Sequence, residues 1–208
     1  KNKKYGRLLA SRIFTLNDQN EFAKYSGDSN PIHGDPIAAR RTIAGECIVH
    51  GVHGLMWALS KLIKEVGLIA SSFNVRFPKP IFLDTLVYCF WNSDKQKIYI
   101  TSDLTLLTTI TVVIGKVNQL NLISLQIEKA LNFPKKMSLQ ECVNAEKQVI
   151  LYRGNSNIGN YLFPELIEIY GQGGTVELAA TSEMVGMNIP GVNSFFLAIN
   201  GVFSSYIE

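Results

Sequence analysis

Residues 49–66 read VHGVHGLMWALSKLIKEV, and this stretch decides the fold. Val52, Leu55, Met56, Leu59, Leu62, Ile63 and Val66 recur at intervals of three and four, the period of one helix face. Gly67 ends the pattern. It is the one long helical pattern in the first half of the chain, and strands follow it. Residues 70–77 alternate Ser72, Asn74 and Arg76 with Phe73, Val75 and Phe77, a period of two closed by Pro78 and Pro80. Residues 85–91, 98–106 and 109–117 are rich in β-branched and aromatic side chains, with Asn92-Ser93-Asp94 as the first turn between them. Their order predicts neighbours in an antiparallel sheet. A sheet that curls around one long helix buries both apolar faces, so the expectation is an α+β fold.

Upstream of the helix, residues 7–15 read as a first strand. Leu16-Asn17-Asp18 then offers N-caps for a short helix over 18–26, with Phe22 and Tyr25 on its buried side. A second short helix is expected over 35–42, with Asp35 as N-cap and Pro36 at its first position. Between them lies Tyr25-Ser26-Gly27-Asp28-Ser29-Asn30-Pro31-Ile32-His33-Gly34-Asp35-Pro36. Pro31 fixes its own φ and drives Asn30 towards extended geometry, so the turn is stiff. A carboxylate and an imidazole held close on a stiff turn suit acid–base chemistry. A capped helix end with an Asx-turn and a surface histidine would use the same residues, and spacing alone does not separate the two.

Composition sets outer limits. The chain has 208 residues, 47% hydrophobic and 18% charged, ample for a core. A mean hydropathy of +0.12 suggests extensively buried strands or an apolar subunit contact. A net charge of +3, with no basic cluster interleaved with aromatics, argues against a nucleic-acid partner. The three widely spaced cysteines, Cys47, Cys89 and Cys142, fit buried thiols in a reducing compartment. No signal peptide is visible, and no apolar run approaches the roughly 20 residues that span a bilayer. The expected location is cytoplasmic, away from membranes.

Beyond Lys116 the pattern weakens. Residues 118–146 read as a connector, with an apolar segment near 120–127 and a capping box at Ser138–Glu141. A short strand is expected over 149–152, then a polar loop over 153–160. Residues 163–185 look helical, broken near Gly171, Gly173 and Gly174 and stopped by Gly186, and 193–203 read as a strand. Val66-Gly67 followed by Ser72-Phe73 is echoed by Val185-Gly186 followed by Ser194-Phe195, which predicts a repeated helix–strand unit.

The turn, with Ala39 six residues past His33, resembles the hydratase-2 motif of MaoC-like (R)-specific enoyl-CoA hydratases and dehydratases. Ile48-Val49-His50-Gly51 is similar to the start of that family's central helix, and Phe77-Pro78-Lys79-Pro80 extends the likeness over residues 7–117. The resemblance implies a hot-dog fold, an antiparallel sheet wrapped around a long central helix. It also implies a double hot-dog: a catalytic unit over 1–117, a connector over 118–146 and a degenerate or incomplete second unit over 147–208. Lys147 and Tyr152 stand where the repeat would need a second acid and histidine.

Carried over residue by residue, the resemblance makes Asp28 and His33 the catalytic pair that holds one water. It makes Gly51 an N–H donor to the thioester oxygen, with Asn30 and His50 orienting the turn or lining the pocket. A serine on the central helix assists the acid in some members; here Leu59 stands in that place and Ser60 is one position off. The implied substrate is an acyl-CoA or acyl carrier protein thioester, with no cofactor and no metal. Hot-dog units pair, so either the chain forms a homodimer or its halves pair internally. A non-catalytic acyl-binding or scaffold role is the alternative. A thioesterase fits less well, because Glu65, near the far end, is the one carboxylate on the central helix.

Overall fold

The computed structural model describes residues 4–103, 105–115, 162–188 and 196–203. The connector over 118–146, the capping box, the strand over 149–152, the loop over 153–160 and Cys142 lie outside the described residues.

The central helix, α4 (Gly51–Val66), begins at the His50 N-cap and ends at Gly67 in the left-handed region. Ten of its residues are buried, more than one face provides. A helix covered on more than one side has neighbours on more than one side. One neighbour is a sheet of six antiparallel strands: β1 (Arg7–Ile13), β2 (Ala70–Arg76), β3 (Leu86–Asn92), β4 (Lys97–Ser102), β5 (Thr105–Ile114) and β6 (Ala198–Val202). Their order is β1-β3-β4-β5-β2-β6. Another neighbour is α5 (Pro164–Glu183), which lies along α4 and also meets α1 (Leu16–Ser26). This is the α+β layering that the helix-then-strands order predicts, and it is the hot-dog arrangement that the family resemblance implies.

Leu55, Met56, Leu59 and Leu62 of α4 share one core with Val75, Ile98, Ile100 and Ile110 of the sheet and with Leu166 and Val176 of α5. Burying each such side chain stabilises the fold by about 1.5–3 kcal/mol. Leu59 is therefore committed to packing, and Ser60 turns the other way. Its hydroxyl donates to Glu165 Oε2 over 2.8 Å, and Lys64 Nζ lies 3.6 Å from Glu165 Oε1.

Several boundaries differ from expectation, each for a local reason. α1 starts at Leu16 because Thr15, read as strand, is the N-cap. Its hydroxyl accepts from the Asp18 N–H while the Asp18 carboxylate accepts from the Thr15 N–H over 2.7 Å. The expected helix over 35–42 is replaced by two single turns, α2 (Pro31–Gly34) and α3 (Pro36–Ala39), capped by Asn30 and Asp35. The β4–β5 turn falls at Asp103, whose φ of 47° an aspartate tolerates, and not at 107–108. That register moves Thr108 into β5.

Gly171 breaks the α5 helix, with φ 74° and ψ 165°, whereas Gly173 and Gly174 keep negative φ. Gly186 does not stop it. The helix continues through Met184–Asn188 as a π-helix (α5π) that runs past Asp28.

Candidate active site

The turn after α1 is a relay of side chains each serving the next backbone group. Gly27 closes α1 with φ 83°, and its N–H reaches the Ala23 carbonyl. Ser26 Oγ accepts from the Asp28 N–H, Asp28 Oδ1 from the Asn30 N–H at 3.1 Å, and Asn30 Oδ1 from the Ile32 N–H at 3.2 Å. Asn30 thereby caps α2, and α2 carries His33. This chain of Asx-type caps fixes Asp28 and His33 relative to each other.

Asp28 is 2% exposed. Ser182 Oγ donates to its Oδ2 over 2.7 Å, and His50 Nε2 lies 3.9 Å from the same oxygen. Burial pushes the carboxyl up to about 6, against the lowering effect of the Ser182 and Asn30 hydrogen bonds. His33 Nδ1 donates to the Ile48 carbonyl over 2.8 Å, so the neutral ring presents Nε2 as an acceptor. Burial holds His33 down at about 4, and it is neutral at physiological pH. Ligand-bearing atoms of Asp28, His33 and His50 all lie within 4.8 Å of one another. At that separation one water reaches both Asp28 and His33.

His50 plays a different part. Its ring stacks on His33 with centroids 3.7 Å apart. Nδ1 sits 2.9 Å from Gln19 Oε1, which also accepts the His50 backbone N–H, and Nε2 sits 3.0 Å from the Asp28 carbonyl. Burial drives its pKa well down, so the ring is neutral and one of these contacts at a time carries the proton. His50 and Asn30 are both buried, and neither is among the residues that line the cavity beside Asp28 and His33. His53 points elsewhere, stacked on Phe22 and 3.4 Å from Gln19 Nε2. With both His50 nitrogens engaged and His33 Nδ1 used, Asp28 and His33 Nε2 remain open. These are fewer than the three protein ligands a catalytic zinc takes.

The cavity in front of the pair has a volume of about 440 Å3. Ile43, Ile48, Val49, Phe77, Ile81, Val185 and Leu197 make it largely apolar, with Asp28, His33, Ser182 and Gly51 in its wall and Lys79 also lining it. Gly51 opens α4, which has no side-chain cap, so its first N–H groups have no partner within the helix. A side chain there would bring Cβ to 3.2 Å from the Phe77 ring.

Two participants escaped the sequence reading, both in the second half. Ser182 on α5 donates a hydroxyl hydrogen bond to Asp28 Oδ2, whereas Leu59 on α4 has no hydroxyl to offer. Gly186 lies so close that a Cβ would sit 2.6 Å from Asp28 Oδ1, and its carbonyl accepts from Asn30 Nδ2 over 3.3 Å. The signal was present as small residues at 179, 182 and 186, one face of a helix that approaches its neighbour closely.

A long helix packed against a curled antiparallel sheet defines the hot-dog class. Within it, the MaoC like domain family matches residues 6–113, more than half of the chain, and the chain belongs to that family. Similar solved structures include the (R)-hydratase from A. caviae involved in PHA biosynthesis, at 24% identity, covering 54% of this chain and 99% of that one, TM-score 0.41. The R-hydratase PhaJ1 from Pseudomonas aeruginosa is 22% identical, covering 53% and 84%, TM-score 0.38. HtdX of Mycobacterium tuberculosis is 24% identical, covering 51% and 47%, TM-score 0.43. Comparison with curated proteins gave no match. Among the described residues, no helix is long and apolar enough to cross a membrane.

Proposed function

We propose that the protein is a hydratase or dehydratase that adds water to a trans-2-enoyl thioester or removes it from a 3-hydroxyacyl thioester. One observation carries the reading: Asp28 and His33, within reach of one water, face an apolar cavity that also presents the start of α4 at Gly51.

In the hydration direction, His33 Nε2 accepts one O–H of the water and the Asp28 carboxylate the other. The water oxygen bonds to C3 as one proton passes to the pair, and the C2–C3 π electrons move into the thioester as an enolate. The Gly51 N–H, at the positive end of α4, stabilises the enolate oxygen. The pair then returns the proton to C2, leaving a hydroxyl on C3 and regenerating the site. Dehydration retraces these steps. A depressed histidine and a raised aspartate divide the work: His33 stays unprotonated while Asp28 titrates near working pH.

The same proposal assigns residues 1–117 to the catalytic unit, 118–146 to a connector and 147–208 to a degenerate partner unit paired within the chain. The stacking of α5 on α4 and the continuation of the sheet from β2 into β6 support that pairing.

The test follows enoyl absorbance with crotonyl-CoA. Purified protein should consume it, and Asp28→Asn and His33→Ala should each abolish the loss. Full activity in both variants sinks the assignment. Thioester binding without turnover across chain lengths would establish a non-catalytic acyl-binding role instead.

A further inference from the structure

One buried hydroxyl in the wall of the catalytic cavity has no part in the chemistry described above. Thr108 on β5 is 1% exposed and lines the cavity. Its inward neighbours along the same strand, Ile110 and Val112, are apolar and packed in the core. Valine has nearly the shape of threonine and would fill the position without burying an oxygen. A buried hydroxyl left without a partner costs about 1–3 kcal/mol. Among the described residues no hydrogen bond reaches Thr108 Oγ1. Thr101, on the neighbouring strand β4, supplies the contrast: its oxygen also lacks a partner but is sealed inside the core. The Thr108 oxygen is not sealed, and the space it meets is the cavity.

Strand register fixes where along the cavity this hydroxyl lies. Thr108 pairs with Ile100 on β4. A Cβ at Gly54 would meet Ile81 Cδ1 at 3.4 Å and Ile100 Cδ1 at 3.7 Å. That places Thr108 beside the point where the sheet meets α4 about one turn past Gly51. Asp28 and His33 come instead from the turn between α1 and α2, and Ser182 from α5. With the thioester oxygen at Gly51 and C3 at the Asp28–His33 water, Thr108 is left for the part of the acyl chain beyond C3.

A threonine hydroxyl both donates and accepts, so it suits a keto or a hydroxyl oxygen. Among the described residues Lys79 is the one cation lining the cavity, and it is exposed. An ionised group buried at Thr108 would therefore lack a partner. We infer that the acyl chain of the substrate carries a neutral oxygen, keto or hydroxyl, beyond C3, and that Thr108 Oγ1 is the hydrogen-bonding partner that selects it. The inference rests on the thioester reading above.

Hydration of trans-2-octenoyl-CoA and of analogues of equal length, each with a keto group at a different carbon beyond C4, tests it. Wild-type protein should turn over the best keto analogue with kcat/KM about tenfold above the parent chain. In Thr108→Val, which keeps the shape, the keto and parent chains should become equal. Thr108→Ser, which keeps the oxygen, should retain the preference. No keto position favoured over the parent chain, or a preference that survives in Thr108→Val, overturns the inference, and the hydratase reading stands as long as the parent chain is hydrated. If no thioester is turned over, calorimetric binding of octanoyl-CoA and its keto analogues asks the same question. Tighter binding of a keto analogue in wild type but not in Thr108→Val keeps the subsite and sinks the hydratase. Equal binding without turnover sinks both.

Discussion

Two serine–carboxylate hydrogen bonds cross between the halves of this chain, and they run in opposite directions. Ser60 of α4 donates to Glu165 of α5 over 2.8 Å, and Ser182 of α5 donates to Asp28 over 2.7 Å. The bonds are nearly equal in length, yet the carboxyls move apart. Glu165 falls below its ordinary value although burial opposes it, because hydrogen bonds and the neighbouring Lys64 and Lys61 favour its charged form. Asp28 rises to about 6, because burial outweighs the two hydrogen bonds it accepts. The comparison teaches that the hydroxyl does not decide a carboxylate's role; the surrounding dielectric and the nearest cation do. Glu165 is built as a strut, and Asp28 as a group that titrates near neutral pH.

The largest break in this contrast would come from Asp28→Asn. Hydration of crotonyl-CoA should fall by about 10²–10⁴, the usual worth of a positioned acid–base group. Stability should move the other way. The folded pKa of about 6 lies above the ordinary 3.8, so the protonated form is favoured by folding. The stability it contributes is full below pH 3.8 and is lost as pH rises through 6. Asp28→Asn should therefore unfold at higher denaturant at pH 7, by about 2–3 kcal/mol, and match wild type near pH 4. A urea titration at both values checks the sign.

Gly186→Ala comes next. Its Cβ would press within 2.6–2.9 Å of the Asp28 carboxylate, so stability should drop by about 1–3 kcal/mol and turnover by more than tenfold. Ser182→Ala should be milder, with turnover falling about tenfold while the fold survives. Glu165→Gln should sit at the bottom, costing under about 1 kcal/mol by thermal unfolding and leaving the hydration rate unchanged.

How legible this was depends on the range of the interactions concerned. The apolar spacing of Val52 to Val66 and the alternation through Phe73 and Val75 are local patterns, and the helix and sheet they predict are present. Thr15 and Asp103 were misplaced because a cap and a left-handed turn each hinge on one side chain, which a run of β-branched residues hides. The stiffness of the turn around Asp28 and His33 could be read because Asp, Asn, Gly and Pro dictate backbone geometry over a few residues, whereas its catalytic reading rests on the resemblance to the hydratase-2 motif. Ser182 and Gly186 could not, because they meet Asp28 across more than 150 positions of chain and their sequence signal is only smallness. Likewise Ser60 was weighed against Asp28, whereas the helix phase that buries Leu59 aims it at Glu165.

The pH dependence of kcat/KM for crotonyl-CoA hydration, which reports groups of the free enzyme, tests the central claim most directly when measured in wild type and Ser182→Ala. Hydration needs ionised Asp28, so the wild-type rate should fall on acidification with a midpoint near pH 6. Removing the Ser182 hydrogen bond takes away a group that favours the carboxylate, so the midpoint should move to higher pH. Superimposable acid limbs in the two proteins, or a wild-type rate flat through pH 6, would contradict the account.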